Sequence, residues 1–341
     1  MTRKIITIAA FSFLLIGCGL QQQVEKPEMK AATDLSNAFT IKNYASDLSE
    51  HTYIYYKHPE RIVALWQNSV ETLIALGAAE KIVAVGGVTN EQHLKPEFLI
   101  AYKNIPVKSK QIFSQEEMLL LKPDFILGWL FDFSGRGRSI GTTAFWEKRN
   151  TNIYMNLLDL AEFKAIHTIE DELQYITDIG KIVGQEEKAQ DEIKKIRQQI
   201  DLCHQQAKSD KKPKVLIISN VGKTLSIYTP RTLAGDIVTQ LGGTVLGVEK
   251  QSIGENEFLS YEEILMLDPD VIFLQSAPER DALTLEMFYS VPVLRNLKCV
   301  KNKKVYCIPF YTIRSPGIRI IDAIEIFAGG LQVKNVNVDK K

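Results

Sequence analysis

The chain has 341 residues, of which 45% are hydrophobic and 24% charged, the composition of an ordinary globular protein. Its 41 basic side chains balance its 41 acidic ones, so no global positive field is available to recruit nucleic acid. A chain of this length predicts about two domains. Beyond the N-terminus, no apolar run reaches the length of a transmembrane helix.

The N-terminus has the pattern of an export signal. Two basic residues precede a mostly apolar run over residues 5–16, and a glycine and Cys18 follow. Because a spanning helix needs about 20 apolar residues, residues 1–17 predict a cleaved signal peptide instead. A cysteine directly after a small residue resembles the lipobox of bacterial lipoproteins, in which that thiol is diacylated. The resemblance implies a lipid anchor on Cys18 and a location outside the cytoplasm, attached to a cell-envelope membrane in the periplasm or on the outer face of the cytoplasmic membrane.

The segment after the anchor, residues 18–45, shows no apolar periodicity and predicts a flexible tether. The other cysteines are Cys203, Cys299 and Cys307, and their odd number argues against a disulfide framework. A bridge between Cys299 and Cys307 stays open, since an export compartment can be oxidising.

The body of the chain contains an internal repeat. A buried strand at residues 61–65 leads through a loop to a helix that ends at a glycine, and the same order follows the strand at residues 214–218. Residues 114–127 and 260–273 then share a short helix, a Pro-Asp turn and a buried strand. A further strand closes each half. Strands that alternate with helices predict largely parallel sheets and thus two similar α/β lobes.

The two lobes are predicted at residues 46–166 and 212–335, with a helical connector over residues 167–211. The connector begins with helical apolar spacing and continues as a long, highly charged helix of about 24 residues, roughly 36 Å in length. A stiff helix at the junction limits how far the lobes can hinge.

The chain resembles the substrate-binding proteins of ABC importers, in the helix-linked class that carries ferric siderophores, vitamin B12 and haem. The resemblance rests on residues 59–65 and 71–78, which are similar to the opening strand and helix of the family, and on the two Glu…Leu-x-Pro-Asp elements. It covers residues 55–330. It implies two α/β lobes joined by a single long backbone helix, with the ligand in the cleft between them.

The repeated short helices carry two kinds of glutamate. The Ser-x-x-Glu patterns at residues 114–117 and 260–263 form capping boxes, which occupy the second glutamate of each pair. Glu116 and Glu262 take no part in the capping boxes and are predicted to face solvent. In the family, glutamates at this position, one per lobe, dock against arginines of the membrane permease. The alternative is that both acids only complement the helix dipole.

Aromatic and arginine side chains follow the predicted strand ends, where ligands of such folds bind. They suit a bulky, partly flat ligand with negative charge. The candidate ligand-binding residues are Trp66, Gln67, Asn68, Trp129, Phe131, Phe133, Arg136, Arg138, Tyr228, Arg231, Tyr311 and Arg314. Trp146 is predicted to be core. The five histidines lack the spacing of a metal cage, although His93 and Tyr311 could each ligate haem iron.

These features predict a lipid-anchored, monomeric solute-binding protein that delivers an iron–siderophore complex to an ABC permease with a cytoplasmic ATPase. Cobalamin and haem are the alternative ligands, and no resident cofactor, metal or nucleic-acid partner is expected. An enzyme is disfavoured, since the chain has no His-Glu-x-x-His motif or phosphate-binding loop. Residues 137–141 match the letters Gly-x-Ser-x-Gly, but they lie in a predicted loop rather than at the strand-to-helix turn that a nucleophile elbow requires. An exported enzyme and an adhesion or signalling lipoprotein remain the alternatives of another class.

Overall fold

A computed structural model describes residues 38–135, 137, 139–156, 166–206, 212–247 and 257–331. The predicted signal peptide, Cys18 and the first part of the predicted tether lie outside the described residues, as do Arg136, Arg138 and the last residues of the second lobe. Within the described ranges, none of the helices combines the length and apolar character that crossing a bilayer requires.

The first lobe opens with an antiparallel hairpin, β1 (Phe39–Tyr44) and β2 (Glu50–Tyr55). The Asn43 side chain accepts a hydrogen bond from the backbone N–H of Met155, which ties the hairpin to the end of the lobe. The predicted tether over residues 18–45 is therefore wrong at its C-terminal end, because residues 39–44 are a paired strand. Their alternation of outward and inward side chains is too short to stand out from the polar segment before it.

The rest of this lobe alternates strands with helices, as predicted. The elements are β3 (Ile62–Leu65), α1 (Gln67–Ala75), β4 (Ile82–Gly86), α2 (Leu99–Lys103), β5 (Val107–Ser109), α3 (Gln115–Leu121), β6 (Phe125–Trp129), α4 (Thr143–Glu147) and β7 (Asn152–Asn156). The strands form one parallel sheet in the order β5-β4-β3-β6-β7. The central strand β3 is buried along its whole length, which is why it reads as a continuous apolar run.

The connector is helical, as predicted, and consists of α5 (Ile169–Val183) and α6 (Glu186–Gln206). Gly184 ends α5 in the left-handed conformation at φ 71°, and the chain turns back on itself there. The Arg197 guanidinium in α6 forms two hydrogen bonds to the Glu170 carboxylate in α5, at 2.9 and 2.8 Å, so the helices run antiparallel. Both helices therefore cross the junction, and the 21 residues of α6 span about 32 Å.

The second lobe repeats the first with two additions. Its elements are β8 (Lys214–Val221), β9 (Leu225–Tyr228), α7 (Leu233–Gln240), β10 (Thr244–Val245), β11 (Glu257–Leu259), α8 (Tyr261–Leu267), β12 (Val271–Ser276), α9 (Asp281–Tyr289), α10 (Lys298–Lys301), β13 (Val305–Pro309) and α11 (Ile320–Gly330). Strands β10, β8, β12 and β13 are parallel and correspond to β4, β3, β6 and β7. The antiparallel strands β9 and β11 extend the sheet beyond the repeat.

The aspartate of each Pro-Asp turn holds the lobe motif in place. The Asp124 carboxylate accepts the backbone N–H of Arg61 at 2.8 Å, and Asp270 accepts that of Lys214 at 2.8 Å. In return, the Arg61 side chain donates to carbonyl oxygens at the C-terminus of α3, and the Lys214 ammonium donates to the last carbonyl of α8 at 2.6 Å. Each short helix is thus fixed rigidly to the first strand of its own lobe.

Candidate functional site

The candidate site is a cleft between the two lobes. It has a volume of about 190 Å³ and is formed where the carboxyl ends of β3, β4 and β6 face the segment after β13. The residues that line it are Trp66, Gln67, Asn68, Gly87, Thr89, His93, Trp129, Phe310, Tyr311 and Arg314. Six of the predicted ligand-binding residues therefore meet here, from both lobes.

Two stacked indoles form one wall of the cleft. The Trp66 and Trp129 rings lie 4.5 Å apart at an interplanar angle of 12°. The Trp66 Nε1–H donates to the Asp132 carboxylate at 2.8 Å, and the Trp129 Nε1–H donates to the Asn68 side-chain oxygen at 3.1 Å. Because both indole N–H groups are already paired, the rings offer a ligand apolar and π surface rather than hydrogen bonds.

Trp66 is held in a backbone conformation that costs energy. Its φ of 74° and ψ of 161° lie in a region that side chains rarely adopt, at the turn from β3 into α1. Gly87 makes this possible, since a Cβ atom there would lie 2.9 Å from the Trp66 ring. Such strain, of the order of 1–3 kcal/mol, persists where the surroundings over-determine it and is concentrated at functional sites.

Asp132 is the residue that sets the indole pair in position. Its carboxylate accepts both the Trp66 Nε1–H and, at 2.7 Å, the backbone N–H of Trp129. Only 4% of the residue is exposed, and burial raises the pKa of its carboxyl to about 6 against the lowering effect of these two hydrogen bonds. The sequence places Asp132 at a strand end, but its structural role depends on contacts that the sequence does not show.

We expect the Asp132→Asn variant to remove a pH-dependent part of the stability. The folded pKa near 6 lies above the unfolded value of about 3.9, so the native state binds the proton more tightly. The free energy of unfolding of the wild type should therefore fall, relative to the variant, by about 2 kcal/mol as the pH rises from 4.5 to 8. Urea unfolding of both proteins at pH 4.5 and pH 8 measures this. A difference that stays the same at both pH values would contradict the assignment.

The lobes contact each other through a buried ion pair. The Arg319 Nη1 lies 2.9 and 3.0 Å from the two oxygens of the Glu71 carboxylate, and Glu71 has no solvent exposure. Glu71 also accepts the backbone N–H of Lys95 and the Gln67 amide, at 2.8 and 3.0 Å. Burial raises the pKa of Glu71, whereas the Arg319 charge lowers it. Nearer the surface, the Lys95 ammonium pairs with Asp322 at 3.0 Å.

His93 also joins the lobes at the edge of the cleft. Its Nε2 lies 2.7 Å from the Glu279 carboxylate, and its ring centroid lies 5.2 Å from that of Tyr311. The His93 carbonyl oxygen accepts from Arg319 at 3.0 Å, and the Arg319 guanidinium lies 5.0 Å from the centre of the Tyr311 ring. A lone histidine in a polar loop is ordinarily solvated, and its sequence neighbourhood gives no sign that the other lobe covers it.

Of the other six predicted ligand-binding residues, Arg136 and Arg138 lie outside the described residues, and the remaining four do not line the cleft. Phe133 is fully buried in the core, so its assignment as a ligand contact is wrong: the turn after β6 directs it inward. Phe131 is 56% exposed on the surface. Tyr228 is buried and its hydroxyl donates to Gln275, and Arg231 is half-buried beside the connector, where its carbonyl oxygen accepts the backbone N–H of His167. Trp146 is core, as predicted.

A second hollow of about 310 Å³ lies at the strand ends of the second lobe and shares Phe310 with the cleft. Its polar lining includes Asn220, Gln275, Ser276 and Arg280. Sequence reasoning missed these residues, because they lie in the last residues of β8 and β12, or shortly after β12, without an aromatic residue to mark them. Together the two spaces offer room on both sides of the cleft for one ligand.

Side chains that could hold a metal are dispersed. Among the residues that the structure describes, no three His, Cys, Asp or Glu side chains are grouped as a metal site. Cys203, Cys299 and Cys307 are free thiols, so the Cys299–Cys307 bridge that the sequence left open is not formed in this structure.

The second glutamate of each repeated Glu-Glu pair forms the predicted capping box with a serine. Ser114 pairs reciprocally with Glu117, and Ser260 with Glu263, each through bonds of 2.7 and 3.2 Å. Glu116 and Glu262 are exposed at the first turns of α3 and α8. Among the described residues, neither of these two carboxylates has an ion-pair partner.

Comparison with known proteins agrees with this architecture. The model of the family described as periplasmic binding protein matches residues 62–312. A crystal structure of a periplasmic binding protein from Veillonella parvula is 31% identical, with a TM-score of 0.78 over 86% of this chain and 92% of that one. The putative ABC transporter substrate-binding lipoprotein YhfQ of Bacillus subtilis is 25% identical over 73% of this chain and 76% of that protein.

A further relative is the ferric enterobactin-binding periplasmic protein FepB of Escherichia coli, 25% identical over 78% of this chain and 84% of that protein. The matching family model spans the connector and most of both lobes. The chain therefore belongs to the periplasmic binding protein family, whose members bind substrates for ABC importers.

Proposed function

We propose that this protein is a lipid-anchored receptor that binds a ferric siderophore between its lobes and delivers it to an ABC permease. The observation that carries the proposal is the cleft wall of stacked Trp66 and Trp129, opposed by Tyr311 and Arg314 of the other lobe. Flat aromatic surface suits the planar groups of a chelate, and the exposed guanidinium of Arg314 suits its negative charge. The name of the Escherichia coli relative, which binds ferric enterobactin, supports the same class of ligand.

Haem is the second candidate ligand, favoured by the proximity of His93 and Tyr311 in the cleft. Either side chain is a known type of iron ligand. The His93 Nε2 is paired with Glu279, so haem ligation there would require this contact between the lobes to open. An absorbance titration with haem separates the candidates, because ligation by histidine or tyrosine shifts the haem spectrum. A ferric siderophore would instead bind with its own metal coordination unchanged.

Delivery is proposed to depend on Glu116 and Glu262. Both carboxylates are exposed at the starts of equivalent helices, and each helix is fixed to its lobe by a Pro-Asp turn, so their spacing is set by the fold. Two carboxylates at a fixed spacing suit bidentate pairing with arginines on a permease. The lipid anchor on Cys18 would keep the receptor near that permease. The lipoprotein named among the relatives supports this location.

We expect the double variant Glu116→Gln/Glu262→Gln to lose uptake of ferric siderophore in cells by at least tenfold, with ligand affinity unchanged. Exposed interface charges act mainly on association and orientation, which is why the loss should appear in transport rather than in ligand binding. The matched control is Glu117→Gln/Glu263→Gln, which removes adjacent charges yet keeps the capping boxes, since glutamine also completes them. Equal uptake by both double variants would overturn the docking role.

A further inference from the structure

The two short helices each expose one large apolar side chain beside the proposed docking carboxylate. Leu120 in α3 is 80% exposed and Met266 in α8 is 86% exposed, the highest exposures among the large apolar residues that the structure describes. A single exposed apolar residue needs no explanation. Here the two most exposed ones occupy the same position of the internal repeat, six residues after the capping serine in each lobe.

The geometry of a helix places each apolar side chain on the same face as its carboxylate. Leu120 follows Glu116 by four residues, and Met266 follows Glu262 by four residues. Side chains at this spacing are neighbours on the helix surface, about 6 Å apart along the axis. Each lobe therefore presents the same two-part feature, an unpaired carboxylate with an apolar side chain next to it.

Folding does not account for these side chains. The residues that anchor the helices to the core are Met118 in α3 and Ile264 in α8, both with no solvent exposure. Leu120 and Met266 point away from that core, so a polar residue at either position would leave the packing unchanged. The recurrence at equivalent positions is explained if both side chains contact the same kind of partner surface.

We infer that Leu120 and Met266 are the apolar contacts of a two-point interface with the permease, each entering a pocket beside the cation that pairs with the adjacent glutamate. The inference rests on the proposed function. Interfaces commonly combine an apolar centre with charged groups at the rim, the charges giving orientation and the buried apolar group slowing dissociation. The carboxylate and apolar side chain occur once in each lobe, so they fit a partner with two equivalent binding sites, as a dimer of permease subunits provides.

Charge favours this partner over a lipid surface. The cytoplasmic membranes and outer leaflets of bacteria are rich in anionic groups, and a face that carries Glu116 and Glu262 is repelled by an anionic lipid surface. A positively charged site on the permease attracts the same face. The apolar side chains alone would fit either surface, so the carboxylates next to them decide between the two.

The test compares binding of four forms of the chain to permease–ATPase complex in lipid nanodiscs, by surface plasmon resonance. All forms carry Cys18→Ser, which prevents lipid attachment. They are the otherwise unchanged chain, Leu120→Gln/Met266→Gln, Glu116→Gln/Glu262→Gln, and the control Ile100→Gln. Ile100 is 76% exposed on α2 and is not beside a docking glutamate, so it matches the other substitutions in chemistry. Tryptophan fluorescence and thermal unfolding check that ligand affinity and fold are preserved.

We expect Leu120→Gln/Met266→Gln to weaken binding about ten- to a hundredfold, mainly through faster dissociation, with the control unchanged. The glutamate variant should instead lower the association rate and its dependence on salt. A weakened glutamate variant beside an unaffected leucine and methionine variant would overturn this inference and leave the proposed function standing. Full binding by the glutamate variant would overturn the proposed docking itself. Equal binding of the unchanged chain to nanodiscs without permease would overturn the inference in favour of a lipid contact.

Discussion

Replacing Glu71 with glutamine should lower the free energy of unfolding by about 3–5 kcal/mol, the usual cost of removing one partner of a buried ion pair. The substitution removes one of the two carboxylates that pair with Arg319, a residue that is only 8% exposed, and leaves the less buried Asp322 as its remaining counter-charge. It also turns one acceptor oxygen into an NH2 group that faces the donors of Arg319 and Lys95. Because the pair joins α1 to the segment before α11, the loss should loosen the contact between the lobes as well as the fold.

A double-mutant cycle separates the interaction free energy of Glu71 and Arg319 from the cost of leaving one of the two charges unpaired. Glu71→Leu/Arg319→Met removes both charges and should be less destabilising than either single substitution, since no uncompensated charge stays buried. The matched control is Lys95→Met, which breaks the more exposed pair with Asp322 and should cost about 1 kcal/mol or less. Guanidinium unfolding of the wild type, the two single variants, the double variant and the control measures these effects. Strictly additive effects of the Glu71 and Arg319 substitutions would contradict the proposed coupling.

Loss of either indole of the cleft should weaken ligand binding by roughly thirtyfold, about 2 kcal/mol, the effect typical of a buried aromatic at the centre of an interface. Trp129→Leu keeps apolar volume but removes the ring that stacks on Trp66 and donates to Asn68. Trp66→Leu also removes the donor to Asp132 and leaves a strained backbone with no ring to hold it. Isothermal titration calorimetry with a ferric siderophore that binds the wild type measures the change.

The control for these variants is Trp146→Phe. Trp146 is 1% exposed, and its Nε1–H donates to the Ile140 carbonyl at 3.1 Å, within the core of the first lobe. Its substitution should lower stability without a change in ligand affinity. An affinity loss as large for Trp146→Phe as for Trp129→Leu would mean that the effect is general destabilisation rather than loss of a ligand contact.

Local patterns predicted much of the fold. Short strands that are largely buried, such as β3 and β12, read as apolar runs, and the reciprocal Ser-x-x-Glu pattern correctly predicted both capping boxes. These signals are local because a cap or a buried strand involves residues close together in the chain. The two α/β lobes followed from their repetition, and the structure confirms the fold class.

The contacts between the lobes were beyond sequence reasoning. Glu71 and Arg319 are separated by 248 positions, and nothing in either neighbourhood identifies the other as its partner. The contact between His93 and Glu279 raises the same difficulty, as does the presence of Tyr311 in the same cleft as the indole pair. Phe133 failed for the opposite reason, because a turn residue was expected to face the cleft and the local backbone directs it into the core. Long-range side-chain contacts depend on how the lobes meet, which no periodicity encodes.

If one ligand binds between the lobes against Trp66 and Trp129, as proposed, the intrinsic fluorescence of the protein should report its binding directly. The chain has 3 tryptophans, two in the cleft and Trp146 in the core. Titration with ferric enterobactin, a ferric hydroxamate, haem and cobalamin should give saturable quenching of the wild type by at least one ligand. In Trp66→Phe/Trp129→Phe, where only Trp146 emits, most of that signal should disappear. No saturable response to any of the four, or the same quenching with unchanged affinity in the double variant, would contradict the account.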